Sequence, residues 1–385
     1  MKQLVSILEK KFWGCNELGN LNALIYNGYE FDENYKENIR VQWHLTVECD
    51  QRCKHCYMFV DDKYEPQKNN QLTTQQSFSL IDDLYLFLKK ARIHGNIFLT
   101  GGDPILSHNF WDVLNYIQQY NRVLTLDTIM GNSYHIDDSV AEKLRSLGIT
   151  DYQISLDGLK ETHDDIRKPG SFDDALRAFK CLHKAGIRTA VMATVHEDNC
   201  DEIIELYQYL NKLEYIDIFV FDRMMPIGNG KTILGDSLLD GNRLKEMLHN
   251  MIQYETIKNE RKILGYKSCV SLWKPSFYEL GLTNPLDKNA KKYYGTCFAG
   301  GGSFSLLSDG TILACRRLDI VAGKYPEDDL KDVLINSPLF KEIRNPTKET
   351  SCPCLLQYNC NGCPAMKFAI NGTMSGKDPH CWRGH

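Results

Sequence analysis

Short apolar runs alternate with helical patterns along the first two thirds of the chain, and this alternation restricts the fold most strongly. The segments between the runs carry apolar residues at helical spacing. The pattern over about 74–91 has Thr73 as its N-cap and Gln76 at the capping-box position. Six strand–helix units predict a parallel sheet with right-handed crossovers. The strand runs are 41–47, 97–100, 123–130, 151–156, 188–195 and 216–222, and the other helices cover about 109–120, 138–147, 172–185, 200–212 and 242–262.

Three cysteines follow the first run at a spacing that suits a metal cluster. Cys49, Cys53 and Cys56 lie at positions i, i+4 and i+7 of one loop. A [4Fe–4S] cluster has four irons and is normally held by four thiolates, so three thiolates leave one iron open. An open metal position is where chemistry takes place, as in catalytic zinc sites. The alternatives are a partial zinc site and unrelated thiols.

The remaining cysteines also favour metal binding over disulfides. The chain has 14 cysteines, and the apolar stretch at its start is too short for a signal peptide, so we expect reduced thiols. For the four scattered residues, Cys15, Cys181, Cys200 and Cys269, burial as small hydrophobic side chains is the favoured interpretation. Residues 297–385 contain Cys297, Cys315, Cys352, Cys354, Cys360, Cys363 and Cys381.

Two turn signals in this cysteine-rich tail predict hairpins. Asp309-Gly310 separates residues 304–307 from 311–314, and Asn371-Gly372 separates 367–370 from 373–374. Asp-Gly and Asn-Gly between apolar runs are typical of tight hairpin turns. Because zinc ribbons also combine cysteine pairs with hairpins, a zinc site in the tail is a rival prediction.

Length and charge exclude several functional classes. The 385 residues suffice for one large domain and a smaller one. A net charge of −5 gives no general attraction to nucleic acid or anionic lipid, and no stretch approaches about 18 uninterrupted apolar residues. We expect a cytoplasmic protein with neither a nucleic-acid nor a membrane partner. The expected division is a lead-in (1–40), a barrel (41–240), a bridging region (241–296) and a cysteine-rich domain (297–385).

The cysteine loop and three later segments together resemble the radical SAM enzymes. The family signature is C-x3-C-x2-C followed by an aromatic residue, which is Tyr57 here. The segment 100–104, Thr-Gly-Gly-Asp-Pro, is similar to the family's Gly-Gly-Glu-Pro motif. The segment 155–158, Ser-Leu-Asp-Gly, follows the fourth run together with Arg167, and residues 223–230 resemble the segment that closes over the adenosine.

The resemblance implies an α/β fold, an open (β/α)6 partial TIM barrel with its chemistry at the C-terminal ends of the strands. It implies that Cys49, Cys53 and Cys56 hold the cluster that binds S-adenosylmethionine (SAM). Arg167 can bind a carboxylate through its planar guanidinium, whereas Asp157 is expected to order its loop. The implied SAM-binding residues are Tyr57 at the adenine, Gly101, Gly102 and Asp103 at the methionine amino group, and Ser155, Asp157 and Arg167 near the ribose and carboxylate. An aspartate in place of the family's glutamate leaves a backbone role intact.

The tail resembles the SPASM extension, in which seven cysteines hold auxiliary [4Fe–4S] clusters. The resemblance implies an outer cluster on Cys352, Cys354, Cys360 and Cys381 and an inner cluster on Cys297, Cys315 and Cys363. Two spacings depart from the family's pattern, one between the third and fourth cysteines and one between the fifth and sixth. No cysteine lies in residues 291–294, just before the first one. The inner cluster therefore either recruits Cys269 or keeps an open iron that could bind a substrate thiolate.

The resemblance also implies reductive cleavage of SAM. An electron donor similar to flavodoxin or ferredoxin would reduce the first cluster, and the resulting 5′-deoxyadenosyl radical would take a hydrogen atom from the substrate. Together with the tail, this chemistry indicates a maturase that acts on a ribosomally made precursor peptide. The favoured product is a cysteine thioether crosslink.

Other products and classes stay open. Carbon–carbon crosslinking uses the same machinery, as does formylglycine formation in sulfatase maturation. The latter needs a general base, for which Asp222 is a candidate, although an acid that caps the strand fits equally well. The cysteine-rich tail disfavours an enzyme that acts on small molecules, such as an enzyme of heme synthesis or of tRNA-precursor synthesis. A non-catalytic iron–sulfur or zinc regulator is least favoured, because Gly101, Gly102, Ser155 and Arg167 are retained.

Overall fold

The computed structural model describes residues 38–58, 61–120, 123–234, 239–257, 263–265, 272–282, 299–344, 356, 360 and 362–383. The strands of these residues are β1 (Asn38–Thr46), β2 (His94–Gly101), β3 (Leu124–Met130), β4 (Asp151–Ser155), β5 (Arg188–Val195), β6 (Ile218–Arg223), β7 (Ser303–Leu306), β8 (Thr311–Cys315) and β9 (Leu318–Lys324). They form one sheet in the order β6-β5-β4-β3-β2-β1-β7-β8-β9.

Helices connect the strands and flank the sheet. The first seven are α1 (Asp61–Asn69), α2 (Thr74–Ala91), α3 (Phe110–Ile117), α4 (Asp138–Ser146), α5 (Lys160–Ile166), α6 (Ser171–Lys184) and α7 (Ile203–Asn211). The others are α8 (Asn229–Leu234), α9 (Gly241–Ile257), α10 (Trp273–Glu279), α11 (Leu330–Asn336), α12 (Pro338–Arg344) and α13 (Pro364–Asn371). The capping box of α2 is present, because the Gln76 amide donates to the Thr73 hydroxyl and the Thr73 amide donates to the Gln76 side chain.

Neighbouring strands from β1 to β6 pair in parallel, as the strand–helix alternation predicts. All their C-terminal ends therefore lie at one edge of the sheet. The predicted α/β partial barrel with a cysteine-rich tail is confirmed.

Alternation along β1 separates the hydrophobic core from a polar face. Val41 and Trp43 belong to the hydrophobic core, and successive side chains of a strand point to opposite faces. His44 therefore lies on the other face, where Ser305 Oγ is 3.4 Å from Gln42 Oε1. We call this face the lumen and define it by Gln42, His44, Thr100, Thr128 and Ser305.

The tail continues the barrel sheet. β7 pairs in parallel with β1, and β7 and β8 pair antiparallel across the Asp309-Gly310 turn. The first predicted hairpin is thus confirmed, and the sheet crosses the expected boundary between barrel and tail.

The second predicted hairpin, at Asn371-Gly372, is wrong. Residues 367–370 belong to helix α13, and Gly372 caps its C-terminus with a φ of 72°. The Gly372 amide donates to the Phe368 carbonyl. Asn-Gly serves a left-handed helix cap as well as a hairpin, because both need a positive φ.

Candidate active site

The three-cysteine loop leaves β1 at the edge where the parallel strands end. Cys53 is buried, and Cys49 and Cys56 are half-buried. Segments that follow β2, β3 and β6, and the C-terminal end of α5, all contact this loop. In barrels built from strand–helix units, this edge carries the catalytic groups.

The glycine pair after β2 lets two backbones pack against each other. The Gly102 amide donates to the Thr46 carbonyl at 2.9 Å, and the Asp103 amide donates to the Glu48 carbonyl at 2.7 Å. A Cβ on Gly102 would lie 2.1 Å from the Glu48 oxygen, and one on Gly101 would lie 2.3 Å from the Thr46 oxygen. The glycines therefore fix the start of the cysteine loop.

Asp103 is fully buried beneath the same loop. Its Oδ1 accepts from the Asn132 amide at 3.3 Å, and its Oδ2 has no partner among the described residues. Burial raises the pKa of this carboxyl to about 6. Asp50 and His135 lie beside it, with ligand atoms of all three residues within 4.8 Å of one another.

Asn132, which follows β3, is a contact residue that the sequence did not single out. Its Nδ2 donates to Cys49 Sγ at 3.3 Å and to Asp50 Oδ1 at 2.9 Å. Its carbonyl accepts from the buried Tyr152 hydroxyl at 3.2 Å. Its position at the end of a parallel strand, beside a glycine, is the one signal that could have identified it.

Asp157 connects the segment after β4 to Arg167 and to β5. Its carboxylate accepts from Arg167 Nε at 2.5 Å and from the Thr194 amide at 2.8 Å. Burial alone would raise the pKa of Asp157, but the charges of Arg167 and His55 outweigh it and hold the pKa well below its usual range. Ser155, the last residue of β4, is half-buried at the same edge.

Arg167 points from this pair toward the cysteine loop. Its Nη1 lies 3.5 Å from Cys53 Sγ and 3.4 Å from Gln51 Oε1. The Ile166 carbonyl accepts from the Lys54 amide at 2.9 Å. Arg167 therefore contacts the cysteine loop through Nη1, while its Nε donates to the Asp157 carboxylate.

The loop sulfurs accept hydrogen bonds from N–H groups, and such bonds favour the thiolate form that binds metal. Cys49 Sγ accepts from the Gln51 amide at 3.4 Å and from Asn132 Nδ2, and Cys53 Sγ accepts from Arg167. Burial raises the pKa of the Cys49 and Cys53 thiols to about 11 in each case. Without metal these thiols are protonated, and a bound metal displaces the protons. The donor set fits an iron–sulfur cluster.

Residues after β6 pack onto the far end of the loop. The Asn229 amide donates to the Cys56 carbonyl at 3.1 Å. A Cβ on Gly228, whose φ is 56°, would lie 2.7 Å from the Tyr57 oxygen. Tyr57 is half-buried, and the Arg316 guanidinium lies 5.4 Å from its ring centroid. Through this contact the cysteine loop meets the tail segment that contains Cys315.

The described tail cysteines fall into two places. Cys360 and Cys381 line one small cavity beneath α10. Cys363 is buried and within electrostatic reach of Cys315, and burial raises its pKa to about 11. Cys269, Cys297, Cys352 and Cys354 lie outside the described residues, as does Cys15.

Two ion pairs at the end of β6 hold the tail. Arg223 donates to the Asp378 carboxylate through both Nη1 and Nη2, and Arg317 Nη2 lies 2.5 Å from Asp222 Oδ2. The Asp378 carboxylate also accepts from the Cys363 amide at 2.9 Å. The Arg223 side chain therefore reaches the tail, and Asp222 has a cationic partner.

Family models match both parts of the chain. Residues 43–210 match the Radical SAM superfamily, and residues 297–364 match SPASM, an iron-sulfur cluster-binding domain. The chain belongs to the radical SAM superfamily. It is a radical SAM enzyme with a SPASM segment, and both models imply iron–sulfur clusters.

Curated relatives cover most of the chain. AdoMet-dependent heme synthase of Methanosarcina barkeri is 25% identical over 350 residues, which span 89% of this chain and 95% of that protein. Mycofactocin maturase MftC of Mycolicibacterium smegmatis is 28% identical over 366 residues, which span 92% of this chain and 85% of that protein. The two relatives differ in the product that their names state.

Solved structures share the fold. Streptococcus suis SuiB bound to precursor peptide SuiA matches with a TM-score of 0.68 and 19% identity, over 90% of this chain and 76% of that one. The anSMEcpe structure with AdoMet and the Cp18Cys peptide matches with a TM-score of 0.66 and 17% identity, over 89% of this chain and 94% of that one. Among the described helices, none combines the length and apolar character needed to cross a bilayer.

Proposed function

We propose that this enzyme is a maturase that modifies a ribosomally made precursor peptide and forms cysteine thioether crosslinks. The observation that carries the proposal is the contact between Tyr57 and Arg316. It brings the three-cysteine loop of the barrel against the Cys315 segment of the tail. A substrate in the lumen would then lie between two sets of thiols that can bind metal.

In this proposal Cys49, Cys53 and Cys56 hold the cluster that binds SAM. When bound, the cluster and SAM supply an electron and a 5′-deoxyadenosyl radical that removes a hydrogen atom from the substrate. Asn132 and Arg167 donate N–H groups to the sulfurs. Such hydrogen bonds tune the reduction potential of a cluster. A flavodoxin- or ferredoxin-like protein would be the electron donor.

The SAM site would use the ends of β2 and β4. The N–H groups of Gly102 and Asp103 are already bonded to Thr46 and Glu48. Because an amino group donates hydrogen bonds, backbone carbonyls of Gly101 and Gly102 would have to receive that of SAM. The proposed SAM-binding residues are Tyr57, Gly101, Gly102, Asp103, Ser155, Asp157 and Arg167, with Asp157 acting through Arg167.

We assign two auxiliary clusters to the tail. The outer one would use Cys360 and Cys381, which share a cavity, and the inner one Cys315 and Cys363, which are in electrostatic reach of each other. Cys352 and Cys354 would complete the outer set, and Cys297 the inner one. An open iron on the inner cluster would bind the thiolate of a substrate cysteine, which favours the thioether product.

The similarity to MftC, whose name states a maturase, supports a peptide substrate. Carbon–carbon crosslinking and formylglycine formation are the alternatives within this class. The ion pair of Asp222 with Arg317 weakens the case for formylglycine formation, because a paired carboxylate is a poorer general base. A tetrapyrrole substrate is the second candidate, since the heme synthase relative spans 89% of this chain.

Anaerobic co-expression with a cysteine-containing peptide encoded beside the gene tests the proposal by mass spectrometry. We expect a loss of about 2 Da for each link, because each link removes two hydrogens. Blocking free thiols then separates the products: cysteines in thioethers are unreactive, whereas carbon–carbon bonds leave them free. Cys49→Ala should abolish the loss, whereas Cys181→Ala, a half-buried cysteine on α6, should retain it.

An unchanged peptide mass from an iron-replete preparation that cleaves SAM would contradict a peptide substrate of this kind. The same preparation would then be supplied with an iron-containing tetrapyrrole. A change in the mass of the tetrapyrrole that requires Cys49 would support the second candidate.

A further inference from the structure

Arg316 is a buried arginine without an acidic partner in the described part of the chain. Its residue is 7% exposed, and its Nε has no hydrogen-bond partner there. Its guanidinium lies over the ring of Tyr57, 5.4 Å from the ring centroid. A buried charge without a countercharge is strongly unfavourable. The site therefore calls for an anion.

Other arginines in this region already have their anions. Arg223, which is comparably buried, binds Asp378, and Arg167 binds Asp157. Arg317, the next residue along the chain, binds Asp222 at 2.5 Å. The contrast between Arg316 and Arg317 shows that this segment pairs one guanidinium and leaves the next one available.

His44 adds a second unpartnered group at the same place. It lies on the lumen face of β1 and is 1% exposed, and neither ring nitrogen has a partner among the described residues. Burial and then the charge of Arg316 hold the pKa of His44 well below its usual range, so the arginine charge acts on this ring. A neutral histidine retains one N–H to donate.

The position of these donors suits a substrate. Tyr57 adjoins Cys56 of the barrel loop, and Arg316 adjoins Cys315 of the tail. The Arg316 guanidinium lies over the ring of Tyr57, and its charge also acts on His44. Arg316 therefore lies between the two cysteine segments and close to the lumen residue His44.

We propose that Arg316 and His44 bind a carboxylate of the substrate in the lumen. The guanidinium fork matches a carboxylate, and the histidine N–H supplies a further hydrogen bond. This inference rests on the proposed function and names a group that the substrate must carry. In a peptide the group is an acidic side chain or the C-terminal carboxylate, and in a tetrapyrrole it is a side-chain carboxylate.

Thermal unfolding of the anaerobic holoenzyme with propionate as the probe tests the inference, and propionamide is the neutral control. Propionate should raise the Tm of the wild type by a few degrees, and propionamide should leave it unchanged. Arg316→Met should lose the response and, without the probe, unfold no earlier than the wild type. Arg317→Lys, which keeps the neighbouring ion pair, should respond as the wild type does.

Three results would overturn the inference. One is an equal response to propionate in Arg316→Met. The second is a weaker affinity of Arg316→Met for SAM, which would assign the guanidinium to the SAM carboxylate. The third is a changed electron paramagnetic resonance spectrum of the tail clusters in Arg316→Met. This change would show that a cluster, and not a substrate carboxylate, balances the charge of Arg316.

Substrate analogues then separate the sources of the carboxylate. One peptide has its C-terminus amidated, and another has one acidic residue changed to its amide. The enzyme should fail to modify the peptide that lacks the carboxylate bound by Arg316. Displacement of propionate by a carboxylated tetrapyrrole but by no peptide would support the tetrapyrrole source. A propionate response in an enzyme that modifies no peptide would support the inference while contradicting the peptide substrate.

Discussion

The guanidinium of Arg223 binds both oxygens of the Asp378 carboxylate, with Nη1–Oδ1 at 2.6 Å and Nη2–Oδ2 at 3.0 Å. Both residues are almost fully buried. Asp378 also accepts from the amides of Cys363 and His380, and its own carbonyl accepts from the Cys381 amide. One residue therefore ties the end of β6 to the backbone of two cysteines that we assign to auxiliary clusters.

Asp378→Asn should destabilise the protein strongly. The substitution keeps the size of the side chain but leaves Arg223 buried without a countercharge, which costs about 3–5 kcal/mol. We expect a lower urea midpoint and less iron retained by the tail. Iron analysis should show the loss in a protein whose N-terminal cluster still cleaves SAM.

Asp173→Asn is the matched control. It breaks the ion pair of Asp173 with Lys160, in which both side chains are more than half exposed. Exposed pairs contribute little to stability, so the urea midpoint should stay unchanged. Equal urea midpoints in the two variants would show that the buried pair of Arg223 and Asp378 does not stabilise the tail.

Folding stability should fall between pH 6.5 and 4 through His163. Burial, and then the charge of Arg167, lowers the pKa of His163 to about 4. In this pH range His163 is protonated in the unfolded chain but stays neutral in the folded protein, so stability decreases as the pH falls. The free energy of unfolding should decrease by about 3 kcal/mol between pH 6.5 and pH 4.

His163→Asn should reduce this pH dependence. An asparagine oxygen can still accept from the Asp157 amide, which now donates to His163 Nδ1 at 3.2 Å, but it does not titrate. Urea midpoints at pH 6.5 and pH 4.5 measure the effect. His183→Asn, at an exposed position on α6, should retain the wild-type pH dependence. An unchanged dependence in His163→Asn would assign the effect to other groups.

Local sequence signals predicted most of the barrel because several of them agreed. The predicted run 188–195 coincides with β5, and the predicted helix 74–91 with α2 (Thr74–Ala91), where apolar spacing and a capping box point the same way. Predicted ends elsewhere differ by a few residues. The helix predicted over 242–262 is described as Gly241–Ile257, and residues 258–262 lie outside the described residues.

Contacts between distant segments could not be predicted in this way. Arg223 and Asp378 are 155 positions apart, and nothing in the local pattern of β6 distinguishes a residue that closes over a ligand from one that binds the tail. The pairing of β7 with β1 is equally non-local. The Asn371-Gly372 turn failed for a different reason, since its local chemistry fits two structures and only packing decides between them.

Asn132→Ala should lower the reduction potential of the N-terminal cluster. The substitution removes the N–H groups that reach Cys49 Sγ and Asp50 Oδ1. Hydrogen bonds to sulfur raise the potential of a cluster, so a redox titration should give a more negative potential and slower SAM cleavage. Asn336→Ala, at an exposed position on α11, should leave both unchanged. Equal potentials in the two variants would contradict a role for Asn132 at the cluster.

Gly102→Ala should displace the cysteine loop. The added Cβ would lie 2.1 Å from the Glu48 carbonyl oxygen, and this neighbour is backbone, so it cannot rotate away. Overpacking of this kind costs about 1–3 kcal/mol. We expect the larger effect on the loop itself, as reduced iron binding by Cys49, Cys53 and Cys56 and a loss of SAM cleavage.

Gly170→Ala separates this clash from the general cost of replacing a glycine. Gly170 has a φ of 84° with nothing within 4 Å of an added Cβ, so its replacement strains the backbone without pushing on a neighbour, at about 1–2 kcal/mol. Iron content and SAM cleavage should stay at the wild-type level in Gly170→Ala. If both variants lost stability but kept their iron, the glycine pair would serve the barrel alone, and the cysteine loop would be positioned by Asn132 and Arg167.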